Sequence, residues 1–143
     1  LIRPLLEYSS LDCTNLIAQI PEDMADSPNL VKVVFDNNHR ALYFSREAIP
    51  SKKKSADLPI NFYRQLGIIA FRRPFLSKFL ALDPTPLEAI ESCDMMRAVE
   101  HGIEVRTIEV EFQKFGVDTQ DDLEKANLDM LHDPFVKKYY REN

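Results

Sequence analysis

The chain has 143 residues, a formal net charge of −5, 45% hydrophobic and 29% charged residues. This suits one modest domain with a core of its own and a soluble globular character. It excludes a basic nucleic-acid face, and no apolar run approaches the roughly 20 residues that cross a membrane. The first residue is Leu1 rather than Met, so the sequence is silent on a leader. Cys13 and Cys93 lie far apart and fit no metal spacing; they read as reduced thiols and point to the cytoplasm. His39, His101 and His132 are scattered, which gives no zinc site.

Residues 1–11 predict a short amphipathic helix with Pro4 in its first turn. Residues 15–20 form a short apolar run, expected to be a buried strand. The acidic, turn-rich residues 21–28 follow as a loop. Residues 30–35 are rich in β-branched types and predict a strand. Asp36-Asn37-Asn38-His39 predicts a turn, and residues 41–46 the returning strand of a hairpin. The apolar content of this hairpin exceeds what one face of a small sheet needs. It reads either as a surface for a partner or as a two-sided core.

Lys52-Lys53-Lys54 lies in a polar connector ending near Pro59; a solvated loop is the plainer reading than a phosphate site. Residues 63–71 are nearly all apolar and predict a strand buried on both faces. Residues 74–82 fit a short helix. Residues 83–102 predict a longer one, opened by Thr85-Pro86-Leu87-Glu88, with Leu87, Ile90, Met96 and Val99 at helical spacing and Gly102 at its end. Residues 104–112 alternate, with Val105, Ile108, Val110 and Phe112 apolar, as a half-exposed strand does. A helix is expected from Thr119 to about Tyr140, with Leu123, Ala126, Met130 and Leu131 inward and a break or kink at Pro134.

Phe115-Gly116-Val117-Asp118-Thr119 marks a strand-to-helix junction, with Thr119 as N-cap and Asp122 three residues later. Ligands and metals gather at such junctions in α/β sheets, which makes Asp118 a candidate metal ligand beside its plainer reading as a turn residue. Intermixed strands and helices without repeats give an α/β fold with a mixed sheet. Three glycines leave no room for a Gly-rich phosphate loop.

Several blocks carry a family resemblance. They are Ser27-Pro28-Asn29-Leu30-Val31-Lys32-Val33-Val34, Ala41-Leu42-Tyr43-Phe44-Ser45-Arg46 with Ile49-Pro50, and Asn61-Phe62-Tyr63-Arg64-Gln65-Leu66-Gly67-Ile68. Pro84-Thr85-Pro86-Leu87-Glu88, Glu91-Ser92 with Arg97, and Gly116-Val117-Asp118-Thr119 with Asp122-Leu123-Glu124 follow in the same order. Together they resemble the C-terminal part of the CMP-Kdo synthetases, the 3-deoxy-manno-octulosonate cytidylyltransferases. The resemblance implies the C-terminal part of a Rossmann-like nucleotidyltransferase fold, with residues 1–143 as the sugar-binding and dimerisation portion of a single domain. It implies transfer of CMP from CTP to a 2-keto-3-deoxy sugar acid with release of pyrophosphate, in lipopolysaccharide biosynthesis. It also implies Mg²⁺, with Asp118 as one ligand, a homodimer formed through the antiparallel hairpin of residues 30–46, and Arg46 as the grip on the acid's carboxylate.

The chain departs from the family pattern where that pattern contacts the sugar. Gln65 and Ile69 replace the family's His and Tyr, and Asp94-Met95 replace its Glu-Gln. Gln65 and Asp94 keep hydrogen-bonding capacity; Ile69 has none in its side chain. These changes give two expectations: the same acid bound through drifted contacts, or a different acceptor, another keto acid or a phosphonate. The family's CTP loop and a metal-binding aspartate would precede Leu1. The 143 residues alone are therefore expected not to turn over CTP, and a non-catalytic dimerisation module is the reading from outside enzymology.

Overall fold

A computed structural model describes residues 1–53, 58–111, 117, 120–133 and 136. The chain divides into two compact units, Leu1–Phe112 and Gln113–Asn143.

The first unit is built on a five-stranded mixed sheet in the order β3-β2-β4-β1-β5. Its strands are β1 (Cys13–Ile20), β2 (Lys32–Phe35), β3 (Ala41–Ser45), β4 (Phe62–Phe71) and β5 (Val105–Glu109). β1 runs antiparallel to β4 and parallel to β5, and β2 runs antiparallel to both β3 and β4. The helices are α1 (Arg3–Glu7), α2 (Arg73–Leu80), α3 (Pro86–Glu91) and α4 (Met95–Glu100). The expected α/β fold with a mixed sheet is the observed one. The eight residues of β1 are all buried except Leu16 and Gln19, as a strand between two neighbours requires.

The core joins Cys13 and Ile17 of β1, Val33 of β2, Phe44 of β3, Phe75 and Phe79 of α2, Met95, Met96 and Ala98 of α4, and Val105 of β5. Phe71, Phe75 and Phe79 stack on one another, with ring centroids 5.5 to 6.2 Å apart. Arg72 binds α1 to this core. Its Nε donates to the Leu11 carbonyl at 2.7 Å, and its Nη2 donates to the carbonyls of Leu5 and Tyr8.

The hairpin forms as expected, with Val33 opposite Phe44 and Val34 opposite Tyr43. Its turn is held by Asp36, whose Oδ1 accepts from the backbone N–H of Asn38 and of Arg40, both at 2.9 Å. The left-handed residue is His39 (φ 59°), stacked on Phe35, rather than either asparagine. Val33, Ala41 and Phe44 of the hairpin are buried in one core cluster, and Leu42 is exposed. Lys52 of the lysine run pairs with Asp26 at 2.6 Å, and Lys54 lies outside the described residues.

Three expectations are corrected. β4 is not buried on both faces, because Gly67 and Ile68 bulge out to solvent. The helix expected over 83–102 is two helices. Ser92 adopts a left-handed conformation (φ 47°) that ends α3 and redirects the chain, so Ile90 is 74% exposed. In the second unit, α5 (Gln120–Leu131) buries none of its residues, and Leu131 is 77% exposed rather than inward. Leu123 and Met130 are exposed as well, and Ala126 is half-buried. Asp118, Thr119, Phe112 and Pro134 lie outside the described residues.

Candidate functional site

A cleft of about 630 Å³ opens between the outer half of β4 and the corner where α3 meets α4. Its lining includes Gln65, Gly67 and Ile69 from β4, and Glu88, Ser92, Cys93, Asp94 and Arg97 from the helical corner.

A β-bulge makes the β4 wall. Asn15 pairs with Ile69 and Ile17 with Gln65, so three residues of β4 face the single Leu16 of β1. Gly67 absorbs the excess at φ 68°, a conformation open to glycine and strained for most other residues. Left-handed Ser92 makes the opposite wall by setting Cys93 and Asp94 at the start of α4.

Three of the four departures from the family pattern therefore converge on one cleft: Gln65, Ile69 and Asp94. Met95 does not join them. It is wholly buried in the core, because the first turn of α4 turns it away from the Asp94 side. Arg46 is not among the cleft-lining residues. Its Nε donates to the Glu91 carbonyl at 2.9 Å, Nη1 to that of Pro28 at 2.8 Å and Nη2 to that of Ser92 at 3.1 Å. A cation on the last carbonyls of α3 suits the negative end of that helix. Glu91 answers from the other direction, accepting from the hydroxyls of Tyr43 and Ser45 and from the Arg46 N–H.

Sequence reasoning missed the ion pair in the cleft. Arg97 grips Glu88 with both ends of its fork, Nη2 to Oε1 at 2.5 Å and Nε to Oε2 at 2.7 Å. Hydrogen bonds from Arg97 hold the Glu88 carboxyl below its usual pKa, and Glu88 raises that of Arg97 in return. Glu88 also accepts from the Thr85 N–H at 3.2 Å, which is the glutamate half of the expected capping box. A spacing of nine residues matches no helical pair, so only the break at Ser92 brings them together.

Cys93 was also missed as a wall residue. Burial pushes its thiol up to about 11, so it stays protonated at neutral pH and serves as a donor rather than a nucleophile. Among the described residues no cluster of three His, Cys, Asp or Glu side chains could hold a metal. The residues described thus do not by themselves make a magnesium site.

The mixed sheet, with its cleft between a bulged strand and a helical corner, makes an α/β fold. A solved structure titled as CMP:2-keto-3-deoxy-manno-octonic acid synthetase complexed with CTP shares it, with a TM-score of 0.85 and 32% identity over 92% of this chain and 54% of that one. A family model described as Cytidylyltransferase matches residues 5–110, and the chain belongs to that family. The 3-deoxy-manno-octulosonate cytidylyltransferase of Chlorobium phaeobacteroides is 38% identical over 143 residues, covering 98% of this chain and 53% of the relative. That of Synechococcus elongatus is 46% identical over 108 residues, covering 75% and 43%. The chain spans about half the length of the curated relatives it matches.

Proposed function

We propose that this chain is the C-terminal, sugar-binding and dimerising portion of a cytidylyltransferase that joins CMP from CTP to a 2-keto-3-deoxy sugar acid, Kdo or a close relative. The observation that carries the reading is the convergence of Gln65, Ile69 and Asp94 on one cleft. These are positions at which the resemblance puts sugar contacts, and the relatives and the CTP-complexed structure bear names of that activity.

In this reaction the anomeric hydroxyl attacks the α-phosphorus. The bond to the β-phosphate's bridging oxygen breaks, pyrophosphate leaves, and the hydroxyl proton passes to solvent or base. The cleft's part is to bind and orient the sugar, which turns an encounter into a positioned attack. Asp94 and Gln65 offer acceptors to sugar hydroxyls, and the Glu88–Arg97 pair stiffens the wall behind them. Arg46 belongs to the proposal as the carboxylate's partner through the N–H groups its carbonyl contacts leave over. Mg²⁺ and its ligand Asp118 rest on the resemblance, and the cation would offset phosphate charge. So does a cytoplasmic homodimer through residues 30–46, for which edge strand β3 with Leu42 exposed offers a surface.

The departures also favour a second reading, in which the nucleotide chemistry is kept and the acceptor differs. Ile69 lines the cleft and brings no side-chain hydrogen bond where the family pattern has a tyrosine. Pyrophosphate release by the complete protein, with CTP, Mg²⁺ and a panel of 2-keto-3-deoxy acids, tests both. Turnover with Kdo as best acceptor upholds the first reading; turnover with another acid upholds the second. Silence across the panel removes both, and pyrophosphate release by the 143 residues alone would overturn the assignment of the nucleotide site to the relatives' other half.

A further inference from the structure

At the floor of the cleft a line of hydrogen bonds has only one possible direction. The Leu16 carbonyl accepts and cannot donate. Asn15 Nδ2 donates to it at 2.7 Å, which turns Asn15 Oδ1 the other way. Gln65 Nε2 donates to that oxygen at 2.8 Å, which in turn leaves Gln65 Oε1 to accept from the Cys93 thiol at 3.4 Å. Asn15 is wholly buried and Cys93 nearly so, while Gln65 is half-buried and lines the cleft. The Gln65 amide is thus held from both sides. The bulge makes this possible, because Leu16 has no partner in the β1–β4 register. The thiol's raised pKa keeps its proton in place as the donor.

An amide has two N–H groups and two acceptor lone pairs. Asn15 takes one N–H and Cys93 takes one lone pair, which leaves one of each. A hydroxyl can accept from the first and donate to the second. An ionised carboxylate can only accept, and would set its charge against Oε1 and near Asp94. Arg97, the cation of this lining, is already engaged by Glu88.

We propose that Asn15 is a positioning residue that fixes the Gln65 amide, so that this end of the cleft selects a sugar hydroxyl rather than the acid's carboxylate. The proposal rests on the sugar-transfer reading above and goes beyond it by assigning which end of the acceptor lies here. Asn15 touches no ligand in this scheme; it acts through Gln65.

The test uses the complete protein carrying this chain, in two arms. In the first, KM for 3-deoxy-manno-octulosonate and for CTP are measured in Asn15→Leu, Gln65→Leu and the double variant. Asn15→Ser, which is too short to reach Gln65, takes the place of Asn15→Leu if the latter does not fold. The expected result is a rise of about tenfold in acceptor KM for each single variant, with CTP KM unchanged and little further rise in the double. Additive effects, or an unchanged acceptor KM in the Asn15 variants, overturn the proposal.

In the second arm, glutamine is labelled with ¹⁵N and the Gln65 side-chain signals are followed in the free protein. Side-chain N–H shifts displaced from those of free glutamine, with ¹⁵N relaxation as slow-moving as the backbone's and both reverting in Asn15→Ser, uphold the fixed amide. Free-glutamine shifts and fast side-chain relaxation already present in the unsubstituted protein overturn it. This arm needs no turnover. Silence in the assay therefore removes the proposed function, while the amide signals decide the positioning by themselves.

Discussion

Lys32 lies between Val31 and Val33 with its side chain wholly buried. Its ammonium donates to the Ser27 carbonyl at 2.7 Å, to that of Leu30 at 2.8 Å and to that of Arg46. Three carbonyls answer three N–H donors, so the charge is buried with its hydrogen bonds complete. Lys32→Met keeps the apolar stem and strands those carbonyls; a loss of roughly 3 kcal/mol is expected in urea unfolding. The Glu88–Arg97 pair makes a different prediction, one of pH. Because Glu88's pKa is depressed in the folded state, the stability it confers is fully present above the ordinary carboxylate range and is lost as pH falls through the depressed value. Arg97→Ala removes the main cause of that depression. Its acid unfolding midpoint should move to higher pH in a circular-dichroism titration, with a smaller difference near neutrality than the shift in acid suggests for a partly solvated pair.

At the level of elements, the hairpin and the start of α3 were legible because their signals are local. A β-branched run before Asp-Asn-Asn and an aromatic-rich apolar run after it mark the first, and Thr-Pro-x-Glu marks the second. The break at Ser92 was not legible. Serine has no preference for a left-handed backbone, and what holds this one is distant: Arg46 on the carbonyls of Glu91 and Ser92. The bulge of β4 had a signal, a lone glycine inside an apolar strand, which the reading of that strand as buried on both faces passed over. A Cβ added at Gly67 would meet nothing within 4 Å, so Gly67→Ala tests the backbone alone. It should cost about 1 kcal/mol, seen as a lower Tm with an unchanged fold. Gln65 and Asp94 became candidates only through the resemblance. Asn15 and Cys93 could not be found that way, because their parts depend on contacts 50 and 28 residues away along the chain.

Across the first unit, composition and pattern indicate an α/β molecule with a mixed sheet, but not the order of its strands. Adjacent pairing of β2 with β3 follows from a short turn; the place of β4 between β2 and β1 depends on pairings across 32 to 58 residues. The outermost strands of this order, β3 and β5, are not independent edges. Arg40, just before β3, bridges to Arg106, and the Thr107 N–H and hydroxyl both donate to the His39 carbonyl, at 2.7 and 2.9 Å. The sheet is therefore latched from end to end by the hairpin's tip. In hydrogen exchange such a latch makes two distant strands a single opening unit, because β5 cannot fray without releasing the hairpin. Thr107→Val removes one of the two bonds. It should quicken deuterium uptake at the Val33 and Val34 amides as well as along β5, and uptake confined to β5 would show that the two ends open separately.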